Sequence, residues 1–122
     1  MRYVVGAHVP NNDGTIADGL YVYGKYGLSF ILTKAPQKSE KDDTMRVIVF
    51  DTIENAEKYA KDLRKAYRFE FKSRAKRGHF PMSAFRFYPL KFDSLNMKQF
   101  QLGKFIKETG NGKLYELYAR SP

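Results

Sequence analysis

The sequence predicts an α+β domain, an antiparallel or mixed β-sheet packed by one main amphipathic helix. The first observation behind this is residues 45–67, where Val47-Ile48-Val49-Phe50 is apolar on both faces and leads directly into a helical repeat. The second is a set of shorter alternating runs on either side, bounded by Gly, Pro and Asn. The third is composition: 122 residues, 43% hydrophobic and 16% aromatic, suffice for one core and exceed what a disordered chain carries. A single domain over residues 1–122 is expected.

Residues 2–9 alternate, with Tyr3, Val5, Ala7 and Val9 on one face and Val4, Gly6 and His8 on the other, as in a strand. The run from Pro10 to Gly14 breaks it with turn residues. Residues 20–23 resume a strand, 24–27 form a glycine turn, and 28–33 alternate again. Residues 36–44 read as a charged loop. After Phe50, Asp51 and Thr52 offer a helix N-cap, with Glu54 at capping-box spacing from Asp51. Ile53, Ala56, Ala60, Leu63 and Tyr67 then fall on one helical face. At 67–72 strict alternation predicts a half-buried strand, with Tyr67, Phe69 and Phe71 inward. Residues 73–83 read as a basic loop and 84–92 as a second aromatic strand. Pro89 places that strand at an edge or a bulge. Asp93 or Ser94 caps a short helical turn through Gln101, ended by Gly103. Residues 104–109 and 113–118 form a hairpin around Gly110-Asn111-Gly112, in preference to a competing helix over 95–107.

The net charge is +9, and it is concentrated: residues 64–91 hold nine Lys or Arg and one acid, whereas residues 1–63 hold eight against nine. Such a segment attracts phosphates or acidic surfaces. Its cations are interleaved with Tyr67, Phe69, Phe71, Phe80, Phe85, Phe87 and Tyr88, the pairing of charge and flat rings that nucleic acid requires. Arg64, Lys65, Arg68, Lys72, Arg74, Lys76, Arg77, His79 and Arg86 are the candidate residues for binding nucleic acid or a partner. Alternating Phe on a strand is core, however, so the basic half of the pattern carries the argument.

Catalysis is not expected. Cysteine is absent, which removes disulfides, thiolate metal sites and a cysteine nucleophile. His8 and His79 are the only histidines and have no metal-ligand spacing; Glu40, Asp42 and Asp43 read as solvated acids. No metal and no cofactor are expected. An acid–base pair of His79 with Glu70, cleaving RNA without a metal, is the one enzymatic alternative. No apolar run suits a signal peptide or a membrane span, so a cytoplasmic protein with no membrane partner is expected.

The segment Phe50-Asp51-Thr52, followed by Glu54, Ala56, Tyr59 and Ala60, resembles a strand–F-x-T–E-x-A-x-x-Y-A helix segment of small accessory proteins from phages and prophages of low-GC Gram-positive bacteria. The resemblance implies a protein that inhibits or redirects host machinery, of the anti-CRISPR type, acting in the cytoplasm of a bacterial host. Many such inhibitors are acidic mimics of nucleic acid, which +9 contradicts. A basic one would engage nucleic acid, a nucleoprotein complex or an acidic protein surface. The expected function is therefore a non-enzymatic basic binding protein acting on nucleic acid or a nucleoprotein complex; a protein–protein module for an acidic partner is the alternative.

Overall fold

The computed structural model describes residues 1–24, 26–33, 45–94 and 98–119. Their chain order is β1 (Tyr3–Pro10), β2 (Ile16–Tyr23), β3 (Ser29–Leu32), β4 (Met45–Val49), α1 (Ile53–Ala66), α2 (Arg68–Gly78), a 3-10 turn (Met82–Ala84), β5 (Arg86–Lys91), β6 (Phe100–Thr109) and β7 (Gly112–Ala119). The seven strands form one sheet in the order β5-β1-β2-β4-β7-β6, with β3 added on β2, and every pairing is antiparallel. The predicted charged loop at 36–44, with Glu40, Asp42 and Asp43, lies outside the described residues.

The strand-to-helix unit forms through Thr52. Its backbone is extended, and its side chain accepts the Asn55 amide at 3.2 Å, so Thr52 rather than Asp51 caps α1. Ala56, Ala60 and Leu63 are buried, but Ile53 remains 46% exposed.

Several expectations are corrected. Residues 67–72 are not a strand, nor 73–83 a loop: α2 runs through most of both. Tyr67, Phe71 and Ala75 sit at helical spacing and face inward, while Phe69 is 85% exposed. The helical turn through Gln101 and the helix over 95–107 give way to β6, which begins at Phe100; residues 95–97 lie outside the described residues. Gly103 ends no helix. It sits in β6 where a Cβ would come within 2.4 Å of the Tyr118 ring, beside register shifts that bend the strand. The β6–β7 hairpin closes as anticipated, with Gly110 at φ 57 joining Thr109 to its partner Gly112. Pro89 lies on β5, an edge of the sheet.

Each face of the sheet has its own core. On the helical side, Val5, Ala7, Val9, Tyr21, Phe50, Phe85 and Phe87 cluster with Ala56, Ala60, Leu63, Phe71 and Ala75. On the other, Val4, Leu20, Val22, Val47, Val49 and Leu117 cluster with Phe92 and Phe100. Leu90 of β5 and Leu102 of β6 pack against this second group. Both edges of the sheet therefore reach one core, so the sheet is strongly curled.

Candidate polyanion-binding surface

A stack of rings fixes α2 on the sheet. Phe71 lies 4.9 Å from Phe85, 5.6 Å from Phe87 and 5.8 Å from Tyr67 between ring centroids, each pair stacked. The Tyr67 hydroxyl hydrogen-bonds Ser29 at 2.8 Å and Tyr21 at 3.2 Å, tying the joint between the helices to the β2–β3 hairpin. Burial raises the Tyr21 hydroxyl pKa well above 10, so it stays neutral in this network.

With Phe71 and Ala75 inward, helical geometry sets Arg68, Lys72 and Lys76 along one outer ridge and Phe69, Ser73 and Arg77 along the next. Cations on the first ridge recur about every 6 Å, on the scale of a nucleic-acid strand with one phosphate per roughly 3.4 Å. Lys65, on the last turn of α1, precedes both ridges. Lys65, Arg68, Lys72, Lys76 and Arg77 are exposed and make no ion pair among the described residues. Lys76 and Arg77 also complement the C-terminal end of the helix dipole, which explains part of their placement without a ligand. Arg68, at the opposite end, has no such explanation.

The remaining candidates have other places. Arg64 donates to the Phe87 carbonyl at 2.6 Å and to Glu57 at 2.9 Å. Arg74 donates to the Pro10 carbonyl at 2.9 Å and lies 5.8 Å over the Phe85 ring, pinning α2 to the end of β1. Both arginines hold the fold. With Arg77, Asn12 and Gly78, Arg74 also borders a cavity of about 290 Å³ at the end of α2. Arg86 alternates with the inward Phe85 and Phe87 and so faces the other side of the sheet, opposite His8 in register. There Asp18 accepts from Tyr88 at 2.7 Å and lies 3.8 Å from His8. The structure does not bring Arg86 to the helical surface.

His79 ends α2 in the left-handed conformation, at φ 59 and ψ 31, and the Phe80 amide returns to the Ala75 carbonyl at 3.0 Å. Its backbone is a helix terminator. Glu70 stands nine residues earlier, roughly 13 Å along the axis, so the two cannot form an acid–base pair across one phosphodiester. Among the described residues no group of three or more His, Asp or Glu is placed to hold a metal ion, and no helix is long and apolar enough to cross a membrane.

Sequence reasoning missed the exposure of Phe69. The signal was present: Tyr67, Phe71 and Ala75 follow the helical period as well as Tyr67, Phe69 and Phe71 follow the strand period. Comparison with protein-family models, curated proteins and solved structures finds no match for this chain.

Proposed function

We propose that this protein is a non-enzymatic binding protein that takes a polyanion, nucleic acid or the nucleic acid of a nucleoprotein complex, on the outer surface of α2. The observation that carries this is the set Lys65, Arg68, Lys72, Lys76 and Arg77, exposed and without ion pairs among the described residues, around the exposed ring of Phe69. Cations displace counterions from phosphates, and a ring at 85% exposure offers a face on which an unpaired base stacks. α1 and α2 serve as the packed cover that keeps the ridges rigid. The resemblance of residues 50–63 to phage-encoded accessory proteins makes a host nucleoprotein the favoured target, in the cytoplasm of a bacterial host, with inhibition of host defence as the outcome.

The test is titration of labelled single-stranded RNA, single-stranded DNA and duplex DNA at several salt concentrations. Replacing Arg68, Lys72, Lys76 and Arg77 with Ala should weaken binding and lower the slope of log affinity against log salt by up to about 2.8 for a single strand and about 3.6 for a duplex. Phe69→Ala should weaken single strands by about 1–3 kcal/mol and leave the duplex nearly unchanged. A folded quadruple variant whose curves overlay the wild type would sink the proposal. A bacterial partner retained after nuclease treatment, without affinity for bare nucleic acid, would move the function to an acidic protein surface.

A further inference from the structure

α1 lies chiefly over β5 and β1. Beside α1, the same face of β4, β7 and β6 forms the floor of a cavity of about 330 Å³, bordered by Tyr23, Arg46, Ile48, Tyr59, Lys107 and Leu114. Strand register explains how these residues meet. Ile48 pairs with Leu114 and Leu114 with Lys107, a row across three strands; one step along, Tyr23 pairs with Arg46. The volume falls in the range of small-molecule sites.

Among the described residues, Arg46 and Lys107 line this cavity and no acid does. Neither forms an ion pair among the described residues, and Arg46 Nε is buried with no hydrogen-bond partner among them. Glu116 stands directly across from Arg46 in register, yet its carboxylate accepts from the Tyr118 hydroxyl and lies beyond ion-pair distance of Arg46. A buried guanidinium N–H without an acceptor is costly, and an anion entering the cavity would supply one.

The walls add selectivity. The Tyr23 and Tyr59 hydroxyls hydrogen-bond each other. Two hydroxyls carry two protons and their mutual bond uses one, so the pair retains one donor. Burial raises the Tyr23 hydroxyl above its ordinary 10. Ile48 and Leu114 supply an apolar floor. A neighbouring cavity of about 240 Å³ shares Ile48, Tyr59 and Thr109 and continues along α1 past Lys58 and Asp62, whose charges cancel. The doubly positive end therefore suits the anionic group, and the neutral end the body that carries it.

We infer that this cavity binds a phosphate monoester on a small ring-bearing body, with Arg46 and Lys107 holding the phosphate and the one free hydroxyl proton of the Tyr23–Tyr59 pair donated beside it. A dianionic phosphate matches the two cations that line the cavity, which have no counter-acid among the described residues. The site is separate from the α2 surface and stands or falls independently of it. Such a phosphate comes from a free small molecule or from the 5′ end of a nucleic-acid strand.

The experiment follows amide and methyl NMR shifts of the full chain during titration with phenyl phosphate, phenol, and a short oligonucleotide with and without a 5′-phosphate. Phenyl phosphate should saturate shifts centred on Arg46, Ile48, Lys107 and Leu114, and phenol should not. Arg46→Gln and Lys107→Gln should each weaken phenyl phosphate at least about tenfold, while the quadruple α2 variant should leave it unchanged. Lys107 is exposed, so its variant keeps the test alive if Arg46→Gln fails to fold. A preference for the 5′-phosphorylated oligonucleotide that Lys107→Gln abolishes upholds the site and assigns it to strand ends. Equal binding of the two oligonucleotides, with phenyl phosphate still bound, upholds it for a free small molecule. Absence of saturable phenyl phosphate shifts at these residues, or unchanged affinity in both Gln variants, overturns it.

Discussion

Under the helices, Tyr21, Phe50, Phe71, Phe85 and Phe87 pack around Ala56, Ala60 and Ala75, whereas inside the curled sheet Val4, Leu20, Val22, Val47 and Leu117 pack with Phe92 and Phe100. The first core mixes large rings with the smallest side chains and carries hydroxyls that must be satisfied: Tyr21 and Tyr67 with Ser29, and Tyr23 with Tyr59. In the second, Val4, Leu20, Val22 and Leu117 have no exposure at all. Rings set against alanines leave irregular space, and the cavities beside Arg46 and beside α1 open on this side. The largely aliphatic core secures the sheet and borders one cavity of about 170 Å³ beside Leu20, Leu90 and Phe100; the aromatic one holds polar groups and larger gaps where ligands can enter.

That contrast breaks most visibly under truncation. Phe100→Ala should cost about 3–5 kcal/mol, and Leu117→Ala about 2–5 kcal/mol toward the upper end. Leu63→Ala, at 7% exposure on the rim of the helical core, should fall toward the lower end of the same range. Denaturant melts of the three variants decide it; a larger loss at Leu63 than at Leu117 would reverse the assignment of the two cores.

Alkali sharpens the comparison. The hydroxyls of Tyr21 and Tyr23 are raised above 10, chiefly by burial, and that of Tyr88, on the opposite face, is pushed up to about 12 by burial and by its bond to Asp18. The unfolded chain ionises these groups near 10, while the folded one keeps them protonated. Their contribution to stability is therefore complete below about pH 10 and is lost as pH rises toward the folded values. Stability measured from pH 9 to 12 should fall, and Tyr21→Phe should make the fall shallower than in the wild type. Identical slopes would show that Tyr21 does not carry it.

The smallest effect is at the end of α2. His79 pays for a left-handed backbone that glycine adopts freely. His79→Gly should raise stability by about 1 kcal/mol, read as a higher denaturation midpoint with an unchanged slope. A loss instead would mean that the imidazole makes a contact worth more than the strain.

The unit from β4 to α1 was legible because strand, cap and helical face are each encoded within a few neighbouring residues, Val47 to Leu63. The hairpin around Gly110 was legible for the same reason. Residues 67–72 were not, because two periods share Tyr67 and Phe71, and only the burial of Ala75 in the helical-side core selects the helix. Of the candidate binding residues, Lys65, Arg68, Lys72, Lys76 and Arg77 reach one surface, while Arg64, Arg74 and Arg86 are assigned elsewhere by contacts with residues 7 to 78 positions distant. The Arg46 cavity left no local trace. Tyr23, Arg46, Tyr59 and Lys107 come from four elements, and only long-range strand pairing collects them.

The interior position of β1 has a consequence for how the chain reaches this state. Its neighbour β2 follows it in sequence, but its other neighbour is β5, so Tyr3 must find Lys91. β4 likewise waits for β7, with Val49 paired to Lys113. The β1–β2–β3 and β6–β7 hairpins can form from nearby residues; the three remaining seams, β2–β4, β1–β5 and β4–β7, require loops of about twenty residues or more to close first. Such non-local pairing slows folding into the range of milliseconds to seconds. During synthesis, the outer edge of β1 stays open until α1 and α2 have emerged and β5 arrives behind them, and that edge is where another nascent chain would attach.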